Sequence, residues 1–133
     1  NKGQSIVEFV IALPILLSVI FGIIEFGILM FDKHILTNAS REGARAGVVM
    51  KIPRLTDAEI EARVNQYAEE HMVTFGPSST LSTTVAPAES SRTGSFFATS
   101  LIVTVSYPYE FLMLSSLGLG PINLTAQTRM RME

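Results

Sequence analysis

An apolar run near the N-terminus constrains this chain more than any other feature. Residues 6–31 read IVEFVIALPILLSVIFGIIEFGILMF and carry charged side chains only at Glu8 and Glu25. A helix needs about 20 apolar residues to cross a bilayer core of about 30 Å, so the run is long enough. Its apolar residues surround the whole helix, whereas a soluble amphipathic helix keeps a polar stripe. The run therefore predicts a membrane helix.

A cleavable secretory signal is the other common explanation of such a run. The apolar core of a signal is about 7–15 residues long and ends at a small-residue cleavage site. Here residues 32–34, DKH, follow Phe31 directly, so we expect the helix to be retained. Lys2 and Lys33 flank the run and mark its orientation weakly. We expect the N-terminus in the cytoplasm, because short N-terminal tails rarely cross.

Two carboxylates and one proline interrupt the run. An ionised side chain in hydrocarbon costs at least about 2.5–3.5 kcal/mol, so it usually has a partner or a purpose. Glu8 lies near enough to the cytoplasmic end to reach the interface, or else it has a partner in an assembly. Glu25 either marks the outer edge of the span or pairs with a basic group on a neighbouring chain. Pro14 lacks an N–H and marks a kink or a stretch that unwinds on assembly.

The helix is expected to continue out of the membrane over residues 32–50, because no turn signal occurs before Pro53. Ala39, Gly43 and Gly47 recur at four-residue spacing within it. Small residues at this spacing let another helix approach closely, and we predict such packing along the stripe. The alternative is that the glycines only weaken the helix, by about 1 kcal/mol each.

The rest of the chain predicts a second helix and a sheet. Thr56 and Glu59 fit a capping box, and apolar residues follow at helical spacing until Gly76-Pro77. Pro108 is expected to end the middle strand. The predicted fold is α+β, with a long N-terminal membrane-spanning helix, a second amphipathic helix and a three-stranded antiparallel sheet. Alternation of apolar and polar residues marks the strands at residues 81–85, 101–107 and 122–132.

Two parts of the chain differ in composition. Charged residues make up 17% of the chain, against about 25% in a typical soluble domain. The apolar excess is concentrated at the N-terminal end. We therefore divide the chain into an N-terminal transmembrane and assembly helix, residues 1–50, and an extracytoplasmic α+β domain, residues 51–133. The first residue is not methionine, and we expect a segment upstream of it.

The connection between the last two predicted strands is unusually apolar. It reads PYEFLMLSSLGLGP over residues 108–121, where a connection is normally polar. Either it tucks over the core as a short helix, or it exposes an apolar patch to another subunit. The candidate interface residues are Phe111, Leu112, Met113, Leu114, Leu117 and Leu119.

The residues offer no pattern typical of catalysis or metal binding. The chain has no cysteine, which excludes disulfides, thiolate zinc sites and a cysteine nucleophile. His34 and His71 lie in no metal-ligand motif, and no G-x-S-x-G elbow or phosphate loop occurs. The net charge of −2 argues against binding nucleic acid through bulk charge. We expect no enzyme activity, no cofactor, no metal and no nucleic-acid partner.

The N-terminal motifs resemble those of a known family. Residues 3–9, GQSIVEF, resemble the processing site of prepilin-type chains: a glycine, four residues, then a glutamate and an aromatic before a long apolar helix. Residues 38–45, NASREGAR, and the ending RMRME at 129–133 are similar to those of TadE-like pilus assembly proteins. The resemblance covers about residues 3–49, and the tail more loosely.

This resemblance implies a pilin-like fold and a place in the tight-adherence branch of the type IV pilus machinery. A prepilin peptidase would cut after Gly3 and leave Gln4 as the new N-terminus. Glu8 would then meet the N-terminal amine of a neighbouring subunit, since a carboxylate among apolar helices is stabilised by a cation. In an uncut chain, Lys2 or a base of another subunit would take that part. The expected assembly residues are Glu8, Glu25, Ala39, Arg41, Gly43, Arg45 and Gly47.

Two functions follow from the resemblance. The first is structural: the chain packs through its N-terminal helix into a Tad-like pilus or its minor-pilin tip. The second is a non-polymerising single-pass membrane assembly factor. The expected partners are other copies or other pilin subunits, the pilus assembly machinery, a prepilin peptidase, and the lipid bilayer before assembly. The expected location is the inner membrane, and then an extracellular filament that serves cell adhesion.

Overall fold

The computed structural model describes residues 2–49, 54–74, 81–92 and 100–132. Its elements confirm the predicted α+β fold: a long apolar helix, a second helix and three antiparallel strands. Two short 3-10 helices lie in the connections, at Glu89–Ser91 and Leu114–Leu117. The elements are α1 (Lys2–Val48), α2 (Asp57–His71), β1 (Ser82–Ala86), β2 (Ser100–Tyr109) and β3 (Ile122–Arg131). The turn signals predicted at Pro53 and Gly76-Pro77 lie outside the described residues, as does Glu133.

Helix α1 has two halves with different surroundings. Its side chains from Ile6 to Ile20 are exposed, and its most apolar 18-residue window is 0% buried. By length and composition this helix is able to cross a membrane. From Glu25 onward one face of the helix becomes buried against the rest of the chain. Pro14 lies within the helix, and the Ser18 hydroxyl donates to its carbonyl oxygen at 2.8 Å.

Helix α2 begins at the predicted capping box. The Thr56 side chain accepts from the Glu59 N–H at 3.2 Å, and the Glu59 carboxylate accepts from the Thr56 N–H at 2.8 Å. These bonds satisfy backbone donors that have no partner within the helix. Ile60, Val64 and Ala68 form its fully buried face and turn it toward α1 and the sheet.

The sheet has the order β1-β2-β3, with antiparallel pairing throughout. Alternate residues of β2 are buried, from Leu101 to Tyr109, which gives the sheet one face on the helices. Pro108 was expected to end β2, and this is wrong: it lies within the strand opposite Asn123. The described pairing of β1 stops at Ser106, and proline is tolerated where its nitrogen faces away from a neighbouring strand.

The second half of α1 lies along the buried face of the sheet. The Lys33 ammonium group donates to the Thr125 carbonyl oxygen, and the Ser40 and Thr128 hydroxyls are 2.6 Å apart. Farther along the helix, Gly47 lies against Leu101. Helix α1 therefore runs along the strands, and its later residues lie near the end of the sheet that holds Leu101. The apolar N-terminal half of α1 extends past the opposite end of the sheet. That end carries the β2–β3 connection.

Candidate assembly surface

The predicted processing site lies in the first turns of α1. Gly3, Gln4 and Glu8 are all exposed. The Gln4 side-chain amide donates to the Glu8 carboxylate at 3.3 Å, one helical turn away. The structure thus brings the predicted new N-terminal residue and the predicted assembly glutamate onto one face. Cleavage itself stays a prediction.

Most of the surface of the N-terminal half is apolar side chain. A helix exposed in this way, on all sides, is unstable in water unless lipid or other helices cover it. The large apolar residues of this half that are more than half exposed are Ile6, Val7, Phe9, Val10, Ile11, Ile15, Leu16, Val19, Ile23, Ile24 and Phe26.

Glu25 is almost completely buried, at 4% exposed, whereas residues 3–24 are exposed or half-buried. Its carboxylate accepts the backbone N–H groups of three consecutive residues, Leu112, Met113 and Leu114. The distance is 3.2 Å from the Met113 nitrogen and 3.1 Å from the Leu114 nitrogen. Successive backbone N–H groups that converge in this way form a concave anion site. The partners that the structure gives Glu25 thus lie in its own chain.

This contact fixes the β2–β3 loop, residues 110–121, against the apolar helix. Tyr109, at the end of β2, faces the same carboxylate. Burial raises the pKa of Tyr109 to about 12, and the negative charge of Glu25 adds to the shift. The phenol therefore stays neutral to a higher pH than that of a free tyrosine. A cleft of about 220 Å³ remains between helix and loop, lined by Phe21, Ile24, Glu25, Ile28, Tyr109, Leu112 and Met113.

Both alternatives proposed for this loop occur in part. Residues 114–117 form a short 3-10 helix, and Phe111 packs edge-on against Tyr109, with ring centroids 5.5 Å apart. Leu112, Met113 and Leu119 are exposed, and Leu114 is half-buried. The side chain of Leu117 lies outside the described part. The loop therefore covers part of the core and also presents an apolar surface, whose use between subunits stays a prediction.

The small-residue stripe packs inside the chain itself. Ala39, Gly43 and Gly47 are buried, and the close neighbours of the two glycines lie in α2 and β2. A Cβ on Gly43 would lie 2.5 Å from Val64 Cγ2, and one on Gly47 would lie 2.5 Å from Leu101 Cδ2. The helix that approaches these glycines within the chain is its own α2, and a role of the stripe between subunits stays a prediction.

Arg41 and Arg45 point away from this packed face. Both are exposed, and the Arg45 Nε atom lies 3.4 Å from a carboxylate oxygen of Glu42. An ion pair this exposed contributes little to stability. Both arginines thus lie at the surface, and their role in assembly stays a prediction.

Two buried charged groups escaped the sequence-based reasoning. Asp32 is fully buried, and its carboxylate accepts from the Val73 N–H at 3.0 Å. It follows Glu25 by seven residues, about two helical turns, so the spacing alone places both carboxylates on one face. Arg92 is also buried, and it pairs with Asp57 at the start of α2. Within the described ranges, no three His, Cys, Asp or Glu side chains gather as they would to bind a metal ion.

Comparisons with known proteins address the N-terminal third of the chain. Neither the curated proteins nor the solved structures gave a match. Residues 3–45, which carry the exposed apolar half of α1, Glu25 and most of the small-residue stripe, match the family model of TadE-like proteins, as the motifs predict.

Proposed function

We propose that this chain is a non-enzymatic, pilin-like subunit that packs through its N-terminal helix into a Tad-type pilus or the minor-pilin tip of one. The match to TadE-like proteins implies a role connected with the Tad pilus. Before assembly, the helix spans the inner membrane with its N-terminus in the cytoplasm. The α+β domain then lies outside, on the side from which a filament grows.

The two-part helix is the observation that supports this proposal most. Its second half is held by α2 and the sheet, while residues 6–20 project from the folded part with apolar side chains on every side. Burying one such side chain is worth about 1.5–3 kcal/mol, so the projecting half gains greatly from any apolar surroundings. Lipid supplies these in the membrane, and the helices of other subunits supply them in a filament.

The Glu8 carboxylate makes the stability of the helix differ between these two surroundings. It is exposed near the start of the span, beside Gln4. At the membrane surface its carboxylate is hydrated. Inside a helix bundle it needs a cation, and a free N-terminal amine at Gln4 of a neighbour provides one after cleavage at Gly3. In a subunit that enters in register, the Glu8 carboxylate is thus neutralised by the amine of its neighbour.

The test begins with shearing of intact cells, followed by N-terminal sequencing and quantification of this chain in the released fibres. Abundant chain that starts at Gln4 is the expected result. Recovery only in the membrane would instead favour the non-polymerising assembly factor. Glu8→Gln is expected to leave the chain in the membrane and to deplete it from fibres. Glu69→Gln, which removes an exposed carboxylate from α2, is the matched control.

A further inference from the structure

The β2–β3 loop lies beside the apolar half of α1, and not beyond its end. Met113 and Glu25 line the larger cleft between loop and helix. Met113 and Leu114 line a second cleft together with Ser18, two turns closer to the N-terminus. The loop therefore follows the helix from residue 25 back to residue 18. At 1.5 Å per residue this is a length of about 10 Å.

This position corresponds to a depth in the bilayer. A span of about 20 residues that begins at Ile6 ends at Glu25. Glu25 then marks the outer boundary of the hydrocarbon, and the part of the loop that reaches Ser18 lies up to about 10 Å inside it. Elements that lie in a membrane interface bury their apolar face to about 5–10 Å, which is the same depth.

The outward surface of the loop suits lipid better than water. No charged residue occurs between Glu110 and Arg129. Leu112 is 56% exposed and Leu119 is 49% exposed. A solvated connection between two strands is normally polar. Here the exposed side chains include Leu112 and Leu119, together with Ser115 and Ser116, whose hydroxyls donate to carbonyl oxygens of the loop itself.

Several backbone N–H groups of the loop are paired within the chain. Irregular backbone is tolerated at membrane depth only where it is buried in protein or lines a water-filled cavity, so the backbone of this loop has to stay against the helix while its outward side chains meet lipid. Glu25 accepts the N–H groups of residues 112–114. Within the loop, the Ser116 and Leu119 N–H groups donate to the carbonyl oxygens of Met113 and Leu114. The Ser115 and Ser116 hydroxyls also donate to carbonyl oxygens three residues back.

We infer that the β2–β3 loop inserts its apolar side chains into the outer leaflet of the bilayer, with lipid acyl chains as its partner, while the subunit awaits assembly. The inference rests on the proposed membrane span and adds a second point of attachment to it. Glu25 makes this attachment possible, because its carboxylate pairs three N–H groups of the loop and holds them against the helix. The domain is thereby held at a fixed height on the membrane.

Tryptophan fluorescence in liposomes tests the insertion, since the chain contains no tryptophan of its own. The full chain is reconstituted into phosphatidylcholine vesicles whose acyl chains carry bromine, a contact quencher, either at carbons 6 and 7 or at carbons 11 and 12. Leu119→Trp probes the loop, and Leu112→Trp repeats the measurement at a second exposed position. Ile15→Trp reports on the middle of the span, and Thr84→Trp, exposed on β1, is the remote control.

Quenching of Leu119→Trp and Leu112→Trp, stronger with the shallow bromines than with the deep ones, is the expected result. Ile15→Trp should show the reverse order, and Thr84→Trp should keep its fluorescence. If Ile15→Trp is quenched while both loop probes match Thr84→Trp, the insertion is overturned and the span stands. Blue-shifted emission of the loop probes without quenching would show that protein, and not lipid, covers the loop. That result would also overturn the insertion. Unquenched Ile15→Trp would overturn the span and the insertion together.

Discussion

At the scale of single residues, Glu25 joins the membrane helix to the domain. Its carboxylate accepts hydrogen bonds from three backbone N–H groups of one loop in place of water. Glu25→Ala would leave these donors without an acceptor, and a buried hydrogen bond to a charged group contributes about 1.5–3 kcal/mol. We expect a stability loss of that order, together with faster amide hydrogen exchange at Leu112, Met113 and Leu114.

Two further variants separate the carboxylate's hydrogen bonds from its charge. Glu25→Gln keeps one oxygen acceptor and should lose less stability than Glu25→Ala. Glu110→Gln removes the charge of the exposed glutamate at the start of the loop and should change neither stability nor exchange. Equal exchange rates in Glu25→Ala and Glu110→Gln would show that the carboxylate does not order the loop.

Gly43 and Gly47 differ in how far their neighbours are able to move. An alanine Cβ at 43 would meet Val64 Cγ2 at 2.5 Å, whereas one at 47 would meet the side-chain ends of Leu101 and Ile60. Valine in a helix is held to nearly one χ1 rotamer, whereas the Cδ atoms of leucine and isoleucine also turn about χ2. Overpacking costs about 1–3 kcal/mol, and alanine regains about 1 kcal/mol of helix propensity.

We therefore expect Gly43→Ala to destabilise the chain by up to about 2 kcal/mol, and Gly47→Ala to be close to neutral. Urea unfolding of the full chain in detergent measures both. Gly27→Ala is the matched control, because no side chain lies within 4 Å of a Cβ there. A larger loss for Gly47→Ala than for Gly43→Ala would contradict this account of the packing.

At the scale of elements, the start of α2 is joined to the β1–β2 connection by Asp57. Its carboxylate pairs with the buried Arg92 and also accepts from the Glu89 N–H at 3.1 Å. The Glu89 carboxylate in turn accepts from the Asp57 N–H at 3.4 Å. The two segments are 32 residues apart in the chain, and this exchange holds the 3-10 helix Glu89–Ser91 at the N-terminus of α2.

Asp57→Asn would leave the Arg92 guanidinium buried beside a neutral partner. We expect a loss of about 1–2 kcal/mol, below the full value for a buried charged pair, because the Asp57 side chain is 39% exposed. Adding Arg92→Met should recover part of that loss, since the variant removes the unpaired charge. Urea unfolding of the single and double variants measures the coupling. Independent, additive losses would argue against the pair.

Local sequence patterns predicted the helices and strands, but they did not predict contacts between residues far apart in the chain. The capping box at Thr56, the helical spacing of Ile60 and Val64, and the alternation along β2 each depend on neighbours within a few residues, and these predictions are confirmed. The partners of Glu25 lie 87 or more residues away, so nothing near Glu25 in the sequence identifies them. The prediction that Pro108 ends β2 was wrong for the same reason, because the tolerance of a strand for proline depends on the strand beside it.

At the scale of the whole molecule, the second half of α1 belongs to the folded core. Leu29 and Leu36 are buried in one core with residues of α2 and the sheet, and Ile35 is buried as well, whereas residues 3–20 are exposed. Burial of these three side chains is worth roughly 5–9 kcal/mol. The net stability of a whole domain is about 5–15 kcal/mol. A folded unit that began at residue 51 would lack these side chains, whereas one that began near residue 21 would keep them. Truncation at these two positions should therefore affect folding differently.

A chain that lacks residues 1–20 keeps every fully buried side chain of the described core, so we expect it to fold and to unfold cooperatively in urea. A chain that lacks residues 1–50 loses the helix against which α2 and the sheet pack, and we expect it to show no cooperative transition. Far-UV circular dichroism and urea unfolding distinguish the two. Cooperative unfolding of residues 51–133 alone would show an independent domain to which α1 only docks, and α1 would then be free to move relative to that domain during assembly.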